Sequence, residues 1–245
     1  MRLQVLGCGD AFGSGGRFNT CFHVTGAAAS FLIDCGASSM VAMRRFGVDP
    51  NAIRTIFISH LHGDHFGGLP FFVLDAQFVS RRTAPLTMVG PAGFERRLHQ
   101  LMEAMFPDST KSDLRFDVHV IELKPGVETV VDGVQVKPFL VHHPSGAPAF
   151  ALRFACDGKA IGYTGDTEWV DTIIEVADGT DLFLAEASSF DRKVPFHLSW
   201  SMLRSHRAAI NTKRLLLTHM DRSMLEAGPI KGAERAEDGA VIDLG

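Results

Sequence analysis

Short apolar runs recur along the whole chain, separated by turn-forming residues and by segments with helical periodicity. Several of these runs are nearly all apolar, which is typical of strands that are covered on both faces. Since such strands need a layer of structure on each side, the pattern predicts a layered α/β architecture. The predicted strands are 3–6, 31–34, 55–59, 86–89, 119–123, 134–141, 150–155, 181–187 and 214–219.

Helical periodicity appears between several of these strands. Apolar residues recur at helical spacing in 92–106, which predicts an amphipathic surface helix. Ser199 is well suited to be the N-cap of a later helix. We find no linker, low-complexity segment or sequence repeat, so 1–245 is predicted to be a single domain. The other predicted helices are 67–79, 169–177 and 199–210.

The composition fits a large core. It argues against an extensive phosphate-binding surface and against a membrane-spanning segment. Of the 245 residues, 46% are hydrophobic, the formal net charge is -4, and no basic run exceeds two residues. A strong, sequence-wide phosphate-binding surface is therefore not indicated. No apolar stretch approaches the roughly 20 residues that span a bilayer, and the N-terminus lacks the apolar region of a signal peptide. The four cysteines have no C-x-x-C spacing, so we interpret them as reduced, buried thiols of a cytoplasmic protein.

A Gly-rich segment, "GCGDAFGSGG" at 7–16, follows the first predicted strand. A dinucleotide-binding loop would need a third glycine at position 12, which is Phe12, and no Gly-Lys-Ser/Thr follows. We therefore predict a tight surface loop.

The stretch "ISHLHGDHFGG" at 58–68 concentrates potential metal ligands directly after a predicted strand. His60, His62, Asp64 and His65 are expected in the loop that leaves this strand. Imidazole and carboxylate are ordinary ligands of zinc and similar ions, and sites in α/β folds lie outside the carboxyl ends of strands. We predict that His60 and His62 share one ion, and that Asp64 and His65 serve a second.

Further potential ligands stand at the ends of other predicted strands. They are His142 and His143 in "LVHHPSG", Asp166 in "YTGDT" and His219 in "LLLTHMD". Each residue alone is more often structural, but their occurrence beside a four-ligand segment favours a shared metal site.

These segments together resemble the metallo-β-lactamase superfamily, and within it the ribonuclease Z-like phosphodiesterases. The matching pieces occur in the same order as in that family: "SHLHGDH", the histidine segment, "TGDT", "AEAS" and "LLLTHMD". The resemblance implies a four-layer αββα sandwich, a dinuclear metal site and a homodimer. The segment "DCG" at 34–36 matches a recurring superfamily segment, to which we give a supporting role.

The resemblance also implies roles for the individual ligands. His60, His62 and one histidine of the pair would hold the first ion, and Asp64, His65 and His219 would hold the second. Asp166 would bridge them. We choose His143 as nearest the strand end, and His142 remains the alternative because a shift of one residue reverses side-chain direction. Zinc is the metal we expect at both positions, with manganese or iron as the alternatives, because this ligand set alone does not separate them.

Two bridged divalent ions would lower the pKa of a water toward neutrality and stabilise charge on a phosphoryl or carbonyl oxygen. Asp64 is a candidate for orienting that water. His197 falls where the family carries a site histidine, which implies a general acid or phosphate contact with Glu186 as its partner. The alternative for His197 is a residue that only helps to begin the following helix.

The resemblance is less informative about the substrate. Ribonuclease Z enzymes carry a long arm that grips tRNA between the third histidine ligand and the bridging aspartate, but here only 23 positions separate His143 from Asp166. A hairpin fits there and an arm does not, which disfavours tRNA. A small phosphodiester, such as a cyclic nucleotide or a short nucleic-acid end, fits the centre equally well. The alternatives are a lactonase, β-lactamase or thioesterase with the same ions, and a non-catalytic metal-binding protein.

Overall fold

The computed structural model describes residues 1–27 and 29–245, which form two seven-stranded sheets. The strands of the described residues are β1 (Arg2–Gly7), β2 (Cys21–Thr25), β3 (Ser30–Ile33), β4 (Thr55–Phe57), β5 (Leu86–Pro91), β6 (Val118–Leu123), β7 (Thr129–Val131), β8 (Val134–Val141), β9 (Ala149–Cys156), β10 (Lys159–Tyr163), β11 (Leu182–Glu186), β12 (Leu215–Thr218), β13 (Glu234–Arg235) and β14 (Val241–Asp243). The α-helices are α1 (Ser39–Arg45), α2 (Gly63–Phe66), α3 (Leu69–Phe78), α4 (Phe94–Met105), α5 (Thr172–Ala177), α6 (Trp200–Ser205) and α7 (Arg222–Glu226).

The two sheets pack face to face and carry helices on their outer faces. Their spatial orders are β14-β1-β2-β3-β4-β5-β6 and β13-β12-β11-β10-β9-β8-β7. One buried apolar cluster lies between the sheets. A second cluster joins the first sheet to α1, α3 and α4, and a third joins the second sheet to α5, α6 and α7. The predicted four-layer αββα sandwich is therefore confirmed.

Aromatic side chains join the two sheets across the central layer. The ring of Phe154 in β9 lies 5.4 Å from the ring of Phe31 in β3 and 5.1 Å from that of Phe57 in β4. All three are essentially inaccessible to solvent, and burying each one stabilises the fold by roughly 1.5–3 kcal/mol. These contacts hold the end of β4 opposite the second sheet, where the remaining candidate ligands lie.

Most predicted elements are present, and the differences have local causes. Ser199 caps α6 as predicted, because its side chain accepts a hydrogen bond from the N–H of Met202 at 3.3 Å. The pattern missed β2, β7, β10, β13 and β14. In β10, Gly162 weakens the strand signal. A side chain at this position would come within 2.6 Å of the Val176 carbonyl oxygen, so glycine lets α5 pack against the strand.

The topology aligns several strand ends at one edge of the second sheet. β10, β11 and β12 are mutually parallel, and both β8 and β10 pair antiparallel with β9. The carboxyl ends of β8, β10, β11 and β12 therefore meet at the same edge. In open α/β sheets this edge is where ligands bind.

Two further expectations concern the cysteines and the membrane. All four cysteines, Cys8, Cys21, Cys35 and Cys156, are buried and free, which confirms buried thiols. Within the described part of the chain, no helix combines the length and apolar character needed to cross a bilayer.

His23 in β2 is a buried imidazole that makes folding sensitive to acid. It is 6% exposed, and burial together with the charge of Arg2 lowers its pKa to about 4. The unfolded chain takes up this proton below a pH of about 6.5, whereas the folded chain does so only near pH 4. Because the unfolded state binds more protons in this window, the free energy of unfolding contributed by His23 decreases as the pH falls from about 6.5 to 4.

We expect His23→Gln to remove roughly 1 to 2 kcal/mol of this acid-dependent loss of stability. The measurement is urea unfolding at about pH 7.5 and about pH 5, with metal present, for the wild type and the variant. His99→Gln, an exposed position in α4, is the matched control and should behave like the wild type. An identical pH dependence in all three proteins would contradict the prediction.

Candidate metal centre

The segment after β4 carries four candidate ligands, two on an extended stretch and two on a helical turn. His60 and His62 follow the strand directly, whereas Asp64 and His65 lie in the short helix α2. The expectation that all four lie in an irregular loop is therefore wrong for Asp64 and His65. The turn is helical, since the N–H of Gly67 donates a hydrogen bond to the Gly63 carbonyl at 2.9 Å.

The turn also packs closely against Gly36 of the "DCG" segment. A side chain at Gly36 would come within 2.2 Å of the Asp64 carbonyl oxygen. Glycine is needed there because a Cβ would overlap this carbonyl oxygen.

His60, His62 and His143 form the first cluster, whose ligand nitrogens all lie within 4.8 Å of one another. Nε2 of His143 lies 3.0 Å from Nδ1 of His62. The other ring nitrogen of His143 lies 3.1 Å from the Phe196 carbonyl oxygen. A backbone carbonyl on the second nitrogen is a common way to orient a metal-binding imidazole.

The neighbouring His142 points away from this cluster. Its side chain is 60% exposed, and its Nδ1 is hydrogen-bonded to Glu168. Successive side chains leave a strand on opposite sides, so only one of the two histidines at the end of β8 reaches the centre. The structure brings His143 to the cluster and leaves His142 at the surface.

Asp64, His65, Asp166 and His219 form the second cluster, again with ligand atoms within 4.8 Å of one another. Oδ1 of Asp166 lies 3.3 Å from Nε2 of His65, and Oδ2 lies 3.2 Å from Nε2 of His219. The same Oδ2 lies 3.9 Å from Nε2 of His60, in the first cluster. Asp166 therefore stands between the two clusters.

The ring of His65 provides a test of whether a cation fits the second cluster. Its Nδ1 lies 2.7 Å from Oδ2 of Asp34, which turns Nε2 toward Asp64 and Asp166, each 3.3 Å away. Among the described residues, Nε2 of His65 and Oδ1 of Asp166 are buried atoms without a hydrogen-bond partner. Burial opposes protonation of His65, but Asp166, Asp64 and Asp34 outweigh it and raise the pKa of the ring well above its usual value. A divalent metal can take the place of the Nε2 proton between the ring and the carboxylates, so the donor set fits such an ion.

The two clusters have different electrostatic character. Burial lowers the pKa of His60 well below its usual value, which keeps the ring neutral. Burial also opposes protonation of His219, but Asp166 and Asp64 outweigh it and raise the pKa of His219 to about 9. The second cluster therefore has a strong preference for positive charge, which a metal ion supplies as well as a proton does.

Asp34 holds the second cluster from behind. Its carboxylate accepts hydrogen bonds from the N–H of Ser59 at 2.7 Å and from the Tyr163 hydroxyl at 2.9 Å, besides its contact with His65. Asp34 has φ 57, a left-handed conformation that is uncommon for a residue other than glycine. The "DCG" segment thus supports the site. Tyr163 was missed, although it is the single tyrosine of the chain and lies in the strand before Asp166.

His197 and Glu186 lie beside the second cluster. Together with Asp166 and His219 they form a third group of ligand atoms within 4.8 Å. Nδ1 of His197 is hydrogen-bonded to Glu186, which is fully buried and also accepts the N–H of Thr167 at 2.9 Å. Burial opposes the charge on His197, but the Glu186 carboxylate raises the pKa of this histidine. The structure therefore brings His197 to the second cluster, just before α6.

The clusters open into a cavity of about 310 Å³. His62, Asp64, His143, Asp166, His197 and His219 all line it. Its outer wall includes Phe12 and Arg192, which sequence reasoning did not select; the only sequence signal for Phe12 is an aromatic residue within a Gly-rich loop. A larger cavity of about 700 Å³, beside the turn between β9 and β10, contains none of the cluster residues.

Comparison with known proteins relates the chain to a family. A family model described as Anti-Pycsar protein Apyc1 matches residues 1–236. The chain belongs to this family. The Apyc1-family chain is 30% identical to uncharacterized protein Rv1339 of Mycobacterium tuberculosis over 98% of its own length and 88% of that protein.

The Apyc1-family chain is also similar to ribonuclease Z proteins. It is 23% identical to ribonuclease Z of Methanosarcina acetivorans over 90% of its length and 87% of that protein. The crystal structure of the short form of human tRNase Z (ELAC1) matches with a TM-score of 0.82 and 25% identity over 100% of both chains. The predicted resemblance to ribonuclease Z-like members of the metallo-β-lactamase superfamily is confirmed, and with it a metallo-hydrolase fold.

Proposed function

We propose that this protein is a metal-dependent phosphodiesterase that acts on a small phosphodiester. The observation that supports it most is the position of Asp166, within 4.0 Å of imidazole nitrogens from both clusters. One carboxylate in contact with two sets of ligands suits two ions a short distance apart. The proposal also draws on the relatives named ribonuclease Z, since their name describes hydrolysis of a phosphodiester.

In this proposal each cluster holds one divalent cation. His60, His62 and His143 would hold the first, Asp64, His65 and His219 would hold the second, and Asp166 would be shared between them. Zinc, manganese and iron all suit such nitrogen and oxygen donors. When bound, the ions would activate water and polarise the phosphoryl group.

The protein's own side chains perform the remaining tasks. Asp64 orients the attacking water, and His197 donates a proton to the departing oxygen. Glu186 fixes the direction of the His197 ring through Nδ1, which leaves Nε2 to face the substrate. Asp34 and the Phe196 carbonyl hold His65 and His143 in the same way.

The dimensions of the site support a small substrate. A cavity of about 310 Å³ lies at the lower end of the range for small-molecule sites. In the fully described segment 143–166, β9 and β10 form a hairpin joined by Asp157 and Gly158, and no tRNA-gripping arm is inserted. A cyclic nucleotide or a short nucleic-acid end fits this geometry better than a folded tRNA.

A substrate panel tests the proposal. Metal is removed by chelation and added back, and turnover of bis(p-nitrophenyl) phosphate, a precursor tRNA, a lactone and a thioester is compared. We expect the activated diester to be hydrolysed only after metal is restored. Lactone or thioester turnover without diester turnover would support the alternative hydrolase, and hydrolysis of none of the four would support a metal-binding protein without catalytic activity.

The two histidines at the end of β8 allow a matched test of the ligand set. We expect His143→Ala to lose about one of two bound metal equivalents and to lower kcat/KM about a hundredfold, because ligand loss exceeds the effect of losing an outer partner. His142→Ala should retain metal and activity, since its side chain is largely exposed. Elemental analysis and diester turnover provide the measurements. The reverse order of effects would assign the ligand to His142.

A further inference from the structure

The Gly-rich loop after β1 brings an aromatic side chain to the mouth of the proposed catalytic cavity. Phe12 is 93% exposed, the highest value among the large hydrophobic residues that the structure describes. It also lines the cavity that contains Asp64 and His219. Both faces of the ring are therefore largely free of protein contacts, beside the cavity that contains the clusters.

Two carboxylates hold this loop in place. Asp10, near its tip, accepts a hydrogen bond from the N–H of Phe12 at 3.1 Å. Asp238 accepts from the N–H of Cys8 at 3.0 Å and of Phe18 at 2.7 Å, which ties together the two ends of the loop. The backbone that carries the ring therefore needs little reordering when a ligand packs against it, which lowers the cost of binding.

The outer wall of the cavity is more apolar than its floor. The floor consists of the histidines and carboxylates of the clusters, whereas Phe12, Ala11 and Val194 supply apolar surface. Arg192 is the only lysine or arginine among the described lining residues, and its Nη2 lies 3.1 Å from Asp221. A ligand with a phosphate at one end and a flat, apolar group at the other matches this division.

We propose that Phe12 determines specificity by stacking on the planar heterocycle of a nucleotide whose phosphate lies at the two clusters. This inference rests on the proposed phosphodiesterase function. Every nucleobase has a π face, so stacking favours nucleotides over phosphates without a base and discriminates weakly between bases. An aliphatic phosphodiester gains little from the ring.

Equilibrium binding tests the inference without relying on turnover. Two ligands that differ by the base alone, thymidine 5′-monophosphate and 2-deoxyribose 5-phosphate, are titrated calorimetrically into the zinc-loaded protein. We expect the wild type to bind the nucleotide at least about tenfold more tightly. Phe12→Ala should weaken nucleotide binding about tenfold to a hundredfold and leave sugar phosphate binding within about twofold, whereas Phe12→Trp should keep the preference.

Phe78→Ala, which removes another exposed phenylalanine from α3, is the matched control and should bind both ligands like the wild type. An unchanged preference in Phe12→Ala, or undetectable nucleotide binding to the wild type at millimolar concentration, would overturn the inference. So would an equal loss for both ligands, with or without a change in the sedimentation of the protein.

The proposed phosphodiesterase activity and the proposed role of Phe12 can each be refuted without refuting the other. Base-dependent binding through Phe12 without hydrolysis of any diester would remove the proposed activity and keep the nucleotide site. Diester hydrolysis with a base preference that Phe12→Ala leaves intact would remove the role of Phe12 alone.

Discussion

Replacing Asp166 with Ala is expected to abolish metal binding and diester hydrolysis together, with a fall in kcat/KM of about a thousandfold or more. The carboxylate is 3% exposed and contacts His65 and His219 within 3.3 Å. Its loss removes the negative charge that both clusters share and leaves buried imidazoles facing one another. Elemental analysis of the purified variant and turnover of bis(p-nitrophenyl) phosphate provide the two measurements.

One further variant separates charge from shape, and a second is the control. Asp166→Asn keeps the size of the side chain and removes its charge, so we expect it to lose metal nearly as completely as Asp166→Ala. Asp117→Ala, at an exposed position before β6, should keep both metal and activity. If Asp166→Ala retained close to two metal equivalents, the bridging role would be wrong.

His197→Ala is expected to keep its metal and to lower kcat by about a hundredfold to ten-thousandfold for diesters with poor leaving groups. The loss should be small for a p-nitrophenyl ester, because p-nitrophenolate departs without needing a proton. The measurement is a series of aryl phosphodiesters with leaving groups of increasing pKa, for which the slope of log kcat should become steeper in the variant.

The neighbouring carboxylate and a distant histidine give the controls for His197. Glu186→Gln should reduce activity less than His197→Ala, because it weakens the orientation of the ring without removing it. His119→Ala, in the exposed part of β6, should match the wild type. An equal loss for good and poor leaving groups would contradict proton donation and leave His197 as a phosphate contact.

The pattern of hydrophobic residues predicted the layered α/β class and most of the strands, because core strands and surface helices have distinct periodicities. The four-layer αββα arrangement came from the family resemblance. The hydrophobic pattern identified β8 at its observed bounds, 134–141, and the helix that includes α4. It failed for β10, whose glycine is explained by close packing against α5. It also failed for α2, where a helical turn of four residues is too short to show a period.

The sequence alone determined which chemical groups this protein has available: a dense set of imidazoles and carboxylates after a buried strand, and one or two candidates at the ends of others. Only the tertiary structure decided which of them meet. Asp166 and His219 reach the turn at 60–65 because packing between sheets aligns the strand ends, and His143 rather than His142 reaches it because of the strand's final register. Such contacts depend on residues far apart in the chain, whose proximity no local pattern specifies. The same reason explains why Tyr163 and Phe12 became visible as parts of the site only in three dimensions.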